Sequence, residues 1–264
     1  MSANRTALIT GASSGIGEDF AHVFASNGFD LVLVARREEK LNKLAEIARD
    51  RYKVQVTVIP CDLALADSIE GLVSRLKSQE IHVDVLVNNA GYAEQGKFTE
   101  LSWQKHMAMQ QVMLTGYLDL CYRLIPAMKD RSYGRIINVS SVGALTPPIK
   151  GSLYVPIKSY VIDMTVALDY ELKESGINCT VICPGFTRTE FQETMGIKDS
   201  LQDIPNVMWQ SSRAVAEEGF DAVMRGQVYK VNGLINQMLT GFLRLLPRSL
   251  FYALGRRIDI IPTD

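Results

Sequence analysis

Apolar residues in this chain fall into short continuous runs separated by longer amphipathic stretches, and the alternation repeats. Ala7-Leu8-Ile9 ends in Thr10, and a helical pattern follows from Gly17, with Phe20, Val23 and Phe24 on one face and Asn27-Gly28 at its end. Phe29 to Ala35 is nearly all apolar, as expected of a strand buried on both faces of a parallel sheet. Residues 38–51 read as an amphipathic helix through Leu41, Leu44, Ile47 and Ala48, and Val54 to Ile59 as a third strand closed by Pro60-Cys61-Asp62-Leu63. The same reading gives helix 66–79, strand Val83–Val87, a long helix over roughly 100–129, strand Gly134–Ser141, helix 153–174 and strand Ile177–Cys183. Six strands alternate with helices, without a Pro/Gly/Ser-rich linker or an internal repeat. This pattern predicts one α/β domain spanning the chain, a doubly wound parallel sheet with helices on both faces.

The pattern weakens after the last of these strands. Residues 188–210 lack clean periodicity, hold Gly196, Pro205 and Trp209, and by position predict a lid over a site. Helix 212–225 and a short strand, Gln227 to Val231, come next. The tail 233–257 is amphipathic, from Leu234 and Ile235 through Met238, Phe242 and Leu245 to Leu254, punctuated by Arg244, Arg248, Arg256 and Arg257. It predicts a helical pair that closes a substrate pocket or makes a subunit contact. A membrane-surface helix is the weaker reading that the basic and apolar mix permits.

Composition adds bounds. A length of 264 residues suffices for one large α/β domain, and a net charge of −1 argues against an electrostatic nucleic-acid or anionic-membrane binder. No long uncharged apolar stretch and no signal-like N-terminus occur. Cys61, Cys121, Cys179 and Cys183 lack zinc spacing and read as buried free thiols, so no metal site is expected and a soluble, cytoplasmic protein is.

Chemistry enters at the junctions. Between the first strand and helix lies Thr10-Gly11-Ala12-Ser13-Ser14-Gly15-Ile16-Gly17, with G-x-x-x-G-x-G spacing. Glycines there let the backbone turn sharply and approach a pyrophosphate, which the unpaired N–H groups of the helix start would hold. Gly11, Ser13, Ser14, Gly15, Ile16 and Gly17 are therefore candidate dinucleotide contacts. The second strand ends in Arg36-Arg37, without the acid that would bind a ribose 2′-hydroxyl. Two bases suit a 2′-phosphate and hence NADP(H), although they also suit the start of a solvated helix. Asp62, with Leu63, lies past the third strand, where it would cap the next helix or touch the adenine. Tyr154 and Lys158 are four apart and share a helix face, where an ammonium would lower the phenol pKa from its usual value of about 10. Ser141, at the end of the neighbouring strand, would hydrogen-bond a substrate oxygen.

Taken in order, Thr10-Gly-x-x-x-Gly-x-Gly17, Asn88-Asn89-Ala90-Gly91, Ser141, Tyr154-x-x-x-Lys158 and Pro184-Gly185 resemble the short-chain dehydrogenase/reductase family over essentially the whole chain. The resemblance implies a Rossmann domain and hydride transfer between a nicotinamide cofactor and an alcohol/carbonyl pair. It implies that Tyr154 protonates the carbonyl oxygen, that Lys158 tunes the tyrosine and holds the nicotinamide ribose, and that Ser141 positions the substrate oxygen. It places Asn89, with Ala90 and Gly91, near the adenosine ribose. Pro184, Gly185, Thr187 and Thr189 would run along the nicotinamide. Arg36 matches the basic position of NADP-preferring members, and a homo-dimer or homo-tetramer through helices 100–129 and 153–174 is implied.

Two departures stand out. Met113 occupies the place of the family's relay Asn in Val112-Met113-Leu114-Thr115-Gly116, and a thioether cannot donate a hydrogen bond. Pro156 lies inside Tyr154-x-x-x-Lys158, which fits a helix starting near Ser152, with Ser152 as candidate N-cap. The expected activity is NADP(H)-dependent interconversion of a carbonyl and a secondary alcohol on a fairly apolar substrate; Phe186, Phe191, Met195 and Trp209 would line its pocket or pack the lid, and Tyr92 is a further candidate wall. The alternatives are a long-chain 3-oxo lipid ketoreductase, or a cofactor-binding protein whose catalysis Met113 impairs.

Overall fold

Alternate side chains of the apolar runs enter different cores. In the computed structural model, which describes residues 4–148, 151–191 and 204–256, Ala7 and Ile9 of β1 (Thr6–Thr10) pack on one side and Leu8 on the other. β2 (Asp30–Ala35) repeats this, with Leu31 and Leu33 opposite Val32 and Val34. A strand buried on both faces needs no polar alternation, which is why these segments read as continuous apolar runs. β3 (Val56–Pro60), β4 (Val85–Asn88), β5 (Gly134–Val139) and β6 (Ile177–Cys183) continue the sheet. Two three-residue strands, β7 (Phe186–Arg188) and β8 (Trp209–Ser211), pair with each other, and β9 (Tyr229–Val231) joins the main sheet. The seven-stranded sheet is parallel throughout, in the order β3-β2-β1-β4-β5-β6-β9. Its winding reverses between β1 and β4, so the carboxyl ends of those strands flank the crevice where doubly wound sheets bind ligands.

The crossovers are α1 (Gly15–Ser26), α2 (Glu38–Tyr52), α3 (Ser68–Ser78), α4 (Trp103–Gln110), α5 (Gly116–Asp130), α6 (Tyr154–Leu172) and α7 (Ser212–Met224). Phe20, Phe24, Leu41, Val215 and Val223 place α1, α2 and α7 on one face of the sheet. Ile69, Leu72, Met109, Leu120, Ile157 and Leu172 place α3 to α6 on the other. Each such buried side chain contributes about 1.5–3 kcal/mol, so both faces stabilise the sheet.

Four local expectations are corrected. The helix expected over 100–129 is interrupted: Gln111–Thr115 forms a wider π turn, closed by the Gly116 N–H on the Gln111 carbonyl. The extra residue rotates the two halves relative to each other, and averaged periodicity does not register it. α6 starts at Tyr154 with Leu153 in the cap position, and the Ser152 hydroxyl accepts from the Tyr154 N–H at 3.5 Å instead. Pro156 thus lies in the first turn, where its missing N–H costs no intrahelical bond. Asp62 does not cap α3, which begins at Ser68; its carboxylate accepts from the Ala64 N–H at 3.0 Å and closes a local turn. Cys61 is half-buried, unlike the buried Cys121, Cys179 and Cys183, and all four are free.

The two ends of the stretch expected as a lid lie in β7 and β8, while Met195 and Gly196 lie outside the described residues. The tail forms the expected helical pair, α8 (Leu234–Arg244) and α9 (Arg248–Gly255), with Arg257 outside the described residues. Among the described residues no helix is long and apolar enough to cross a membrane, and no His/Cys/Asp/Glu group could hold a metal ion.

Candidate active site

The glycine turn has a backbone that strongly favours glycine. Gly11 and Gly15 have φ of +67° and +60°, the left-handed region where a Cβ is costly. A Cβ on Gly17 would collide with the Gly11 carbonyl oxygen and stand 2.5 Å from Asn89 Nδ2. The β4 end clamps this turn. Thr10 Oγ1 accepts from the N–H groups of Asn89 and Ala90, and Asn89 Nδ2 donates to the Thr10 and Gly11 carbonyls at 3.0 and 3.4 Å. A turn this tight, with no room for a Cβ at Gly11 or Gly17 and set at the N-terminus of α1, is a cradle that fits a pyrophosphate held by backbone N–H groups. Asn89 holds the shape of that cradle.

The two arginines after β2 diverge. Arg37 reaches over the cradle, and its guanidinium donates to Ser13 Oγ at 3.0 Å and Ser14 Oγ at 2.7 Å. Arg36 lies near enough to Tyr92 to act on its phenol. Arg37, more than Arg36, therefore stands beside the loop. Glu190, which nothing in the local sequence singles out, bridges Arg37 Nη1 at 2.7 Å and Lys40 Nζ at 2.5 Å. Those two cations hold its carboxyl far down, at about 2. Thr189 packs on the same turn, its Cγ2 2.8 Å from where a Cβ of Gly15 would be.

Ser141, Tyr154 and Lys158 converge at the end of β5. The α6 helix is fastened there by Ser140, buried, whose hydroxyl donates to the Lys158 carbonyl at 2.6 Å. A buried chain runs alongside: Asn88 Nδ2 donates to Asn138 Oδ1 at 2.8 Å, and Asn138 Nδ2 donates to Thr165 Oγ1 at 2.9 Å. β4, β5 and α6 are thereby locked in register, which fixes Tyr154 against Ser141. Ser140 is consumed in this anchoring. Ser141 is half-buried, its Oγ accepts from the Gly143 N–H, and it lies close enough to the Tyr154 phenol to act on its acidity. Phe191 lies against Tyr154 with ring centroids 5.9 Å apart, whereas Phe186 and Trp209 pair with each other at 5.6 Å. Tyr92 is half-buried against the core beside Ala90.

Burial dominates the electrostatics. Lys158 is 3% exposed and donates to the Val139 carbonyl at 2.7 Å; desolvation pulls its ammonium down to about 7. Tyr154 is pushed up to about 12 by burial, against the nearby Ser141 hydroxyl that pulls the other way. The expectation that Lys158 lowers the tyrosine is not met. With Nζ 5.7 Å from the ring centroid and itself half-neutral near pH 7, the amine is outweighed by desolvation. Two further groups crowd the lysine. The Tyr117 ring centroid is 5.4 Å from Nζ, and its phenol donates to the Ala90 carbonyl. The Met113 thioether sits with Lys158 Nζ over Gly91, at 3.0 and 3.5 Å from where a Cβ would project. Tyr117 follows Met113 by four positions, about one helical turn. Pro184 accepts from the Val142 N–H, and Gly185 leaves room for Asn236 of α8. Thr187 is buried, and its hydroxyl donates to the Gly185 carbonyl.

Residues 5–199 match the family model described as short chain dehydrogenase. The chain belongs to the short-chain dehydrogenase family. The dehydrogenase is 33% identical over 212 residues to oxidoreductase UcpA of Salmonella typhimurium, 80% of each chain. Among solved structures, a short-chain dehydrogenase from Sphingobium yanoikuyae in complex with NADPH matches at TM-score 0.80 and 28% identity, covering 93% of this chain and 97% of that one. L-Sorbose reductase from Gluconobacter frateurii, complexed with NADPH and L-sorbose, matches at 0.78 and 25%, covering 88% and 96%. The dehydrogenase is thus an oxidoreductase with a Rossmann-type parallel sheet.

Proposed function

We propose that this dehydrogenase reduces a carbonyl to a secondary alcohol on a fairly apolar substrate, with NADPH as its preferred cofactor. The observation that carries this reading is the convergence of Ser141, Tyr154 and Lys158 on one strand end beside the glycine cradle. When bound, NADPH supplies the hydride. Ser141 Oγ holds the substrate oxygen, and the Tyr154 phenol donates its proton to that oxygen as it gains charge. A phenol near 12 arrives protonated at neutral pH, the form that reduction requires. Lys158 holds the nicotinamide ribose, with Pro184, Gly185, Thr187 and Thr189 alongside. Phe191 excludes water beside the phenol.

NADPH preference is supported by Arg37 bound to Ser13 and Ser14, by Lys40, and by the absence of an acid directly after β2. The two solved relatives complexed with NADPH agree with it. The test is nucleotide consumption with NADPH and NADH over a panel of ketones and 3-oxo esters. Faster turnover with NADPH at limiting nucleotide is expected; NADH preference overturns the cofactor assignment.

Glu190 sharpens that assignment. It pairs with the cations that would meet a 2′-phosphate, so the phosphate must compete with a carboxylate. Glu190→Gln is expected to lower KM for NADPH about two- to tenfold, a change of about 0.4–1.4 kcal/mol, and to leave KM for NADH unchanged. A higher KM for NADPH means that Glu190 orients Arg37 productively.

Met113 favours a second reading, in which catalysis is throttled. An amide at this position would place an acceptor near Lys158 Nζ, raise the lysine pKa and restore a polar path to it. Met113→Asn is expected to raise kcat several-fold and to cost about 1–3 kcal/mol of stability through the lost apolar burial. An unchanged or lower kcat removes the throttling idea. A long-chain 3-oxo substrate is the other variant of the reading, and a rise of kcat/KM with acyl length identifies it. The outer faces of α5 and α6, with exposed Tyr122, Tyr160 and Tyr170 and a groove of about 430 Å³ along Met164 and Leu168, support a homodimer away from the site.

A further inference from the structure

Helix α8 sits on the protein with its polar side inward. Its buried residues are Asn236 and Thr240: Asn236 Nδ2 donates to the Asn232 carbonyl at 2.8 Å, and Thr240 Oγ1 donates to the Asn236 carbonyl at 2.7 Å. The Asn236 side chain fills the space that Gly185 leaves. The apolar side points away. Leu234, Met238, Phe242 and Leu245, spaced along one stripe, are 71%, 67%, 62% and 82% exposed. Leu250 and Tyr252 of α9 are 47% and 51% exposed. A surface helix ordinarily buries its apolar stripe and shows water its polar one. Here the order is reversed, and contiguous apolar surface of this kind marks an interaction site.

Charge decides what the surface meets. From Asn232 to Arg257 the sequence holds Arg244, Arg248, Arg256 and Arg257 and not one aspartate or glutamate. Arg244, Arg248 and Arg256 are exposed. The whole-chain charge of −1 hides this local excess, and an exclusion based on net charge does not apply to the segment. A second copy is a poor match, because a two-fold contact brings a patch against itself and would set arginines against arginines without a carboxylate between them. An anionic bilayer meets both features, taking the apolar stripe among its acyl chains and the guanidinium groups at its phosphates. We propose that α8 and α9 dock this dehydrogenase on the surface of a bilayer rich in acidic phospholipid. The proposal is independent of the reaction assigned above.

The test is co-sedimentation of the full chain with phosphatidylcholine vesicles, with and without phosphatidylglycerol. Binding at least about tenfold stronger to the phosphatidylglycerol vesicles, and weakened by high salt, is expected. Met238→Asp combined with Phe242→Asp should abolish it while the thermal transition stays in place. Should that variant fail to fold, Arg248→Gln combined with Arg256→Gln, both on exposed positions, should reduce binding to the level of phosphatidylcholine alone. Equal binding to the two vesicle types, or to neither, overturns the proposal. So does a concentration-dependent dimer in light scattering that the aspartate variant dissolves, since that assigns the face to a second copy.

Discussion

Tyr154→Phe is expected to lower kcat for carbonyl reduction by roughly 10²–10⁴-fold while KM for NADPH stays unchanged. The substitution removes one oxygen and nothing else of consequence. The ring remains seated against Phe191, 5.9 Å between centroids, so the wall of the site keeps its shape. The cradle and Arg37 do not touch the phenol, so nucleotide affinity has no reason to change. What disappears is the phenol proton beside Ser141, the one that the proposed reaction delivers to the substrate oxygen. Serine alone is a poor substitute, because its hydroxyl is far less acidic than a phenol. Steady-state kinetics with any ketone that the wild type turns over provides the measurement. Turnover within a few-fold of wild type would remove Tyr154 from the reaction and leave Tyr117 as the nearest other phenol, although its hydroxyl is already given to the Ala90 carbonyl.

Much of this site was legible in the residues because its parts obey strong local rules. A turn that needs left-handed backbone at Gly11 and Gly15 announces itself by its glycines, and a strand buried on both faces by an unbroken apolar run. Tyr154 and Lys158 are linked by helical spacing. Contacts that join distant segments leave no such trace. Glu190 lies 153 positions from Arg37, and nothing in either neighbourhood announces the pair. The π turn at Gln111–Thr115 escaped for a different reason, since one added residue barely disturbs a periodicity averaged over three turns. The orientation of α8 was also hidden. Amphipathicity identifies two faces, but which one the protein takes was decided by Asn236 finding room at Gly185. The direction of the Tyr154 shift failed because spacing says that a lysine is near and says nothing of how dry the place is.

Dryness makes Lys158 the other residue with a large expected effect, and here activity and stability should move in opposite directions. Lys158→Met is expected to abolish most turnover, by roughly 10²-fold or more, and to raise the melting temperature at pH 7. The lysine is 3% exposed and is held by one neutral acceptor, the Val139 carbonyl, and among the described residues no carboxylate offsets its burial. Its folded value of about 7, against 10.5 for an ordinary lysine, bounds the cost of burying the charge at about 5 kcal/mol. Loss of the hydrogen bond to Val139 gives back about 1–3 kcal/mol, so the net gain is a few kcal/mol. For a chain of this size that corresponds to a rise of roughly 3–10 °C. The pH dependence fixes the sign. Below pH 7 both folded and unfolded lysine carry the proton, and wild type bears the full cost of the buried charge. Between about pH 7 and 10.5 the unfolded chain holds more protons, so wild-type stability rises with pH and the advantage of methionine shrinks. Above that range the advantage is gone, leaving only the lost hydrogen bond. Thermal denaturation of both proteins without added nucleotide, at pH 6, 7, 8 and 9, measures this. A methionine variant that melts below wild type at pH 6 would mean that the ammonium is well satisfied where it lies, and that the lysine is a structural anchor as much as a catalytic one.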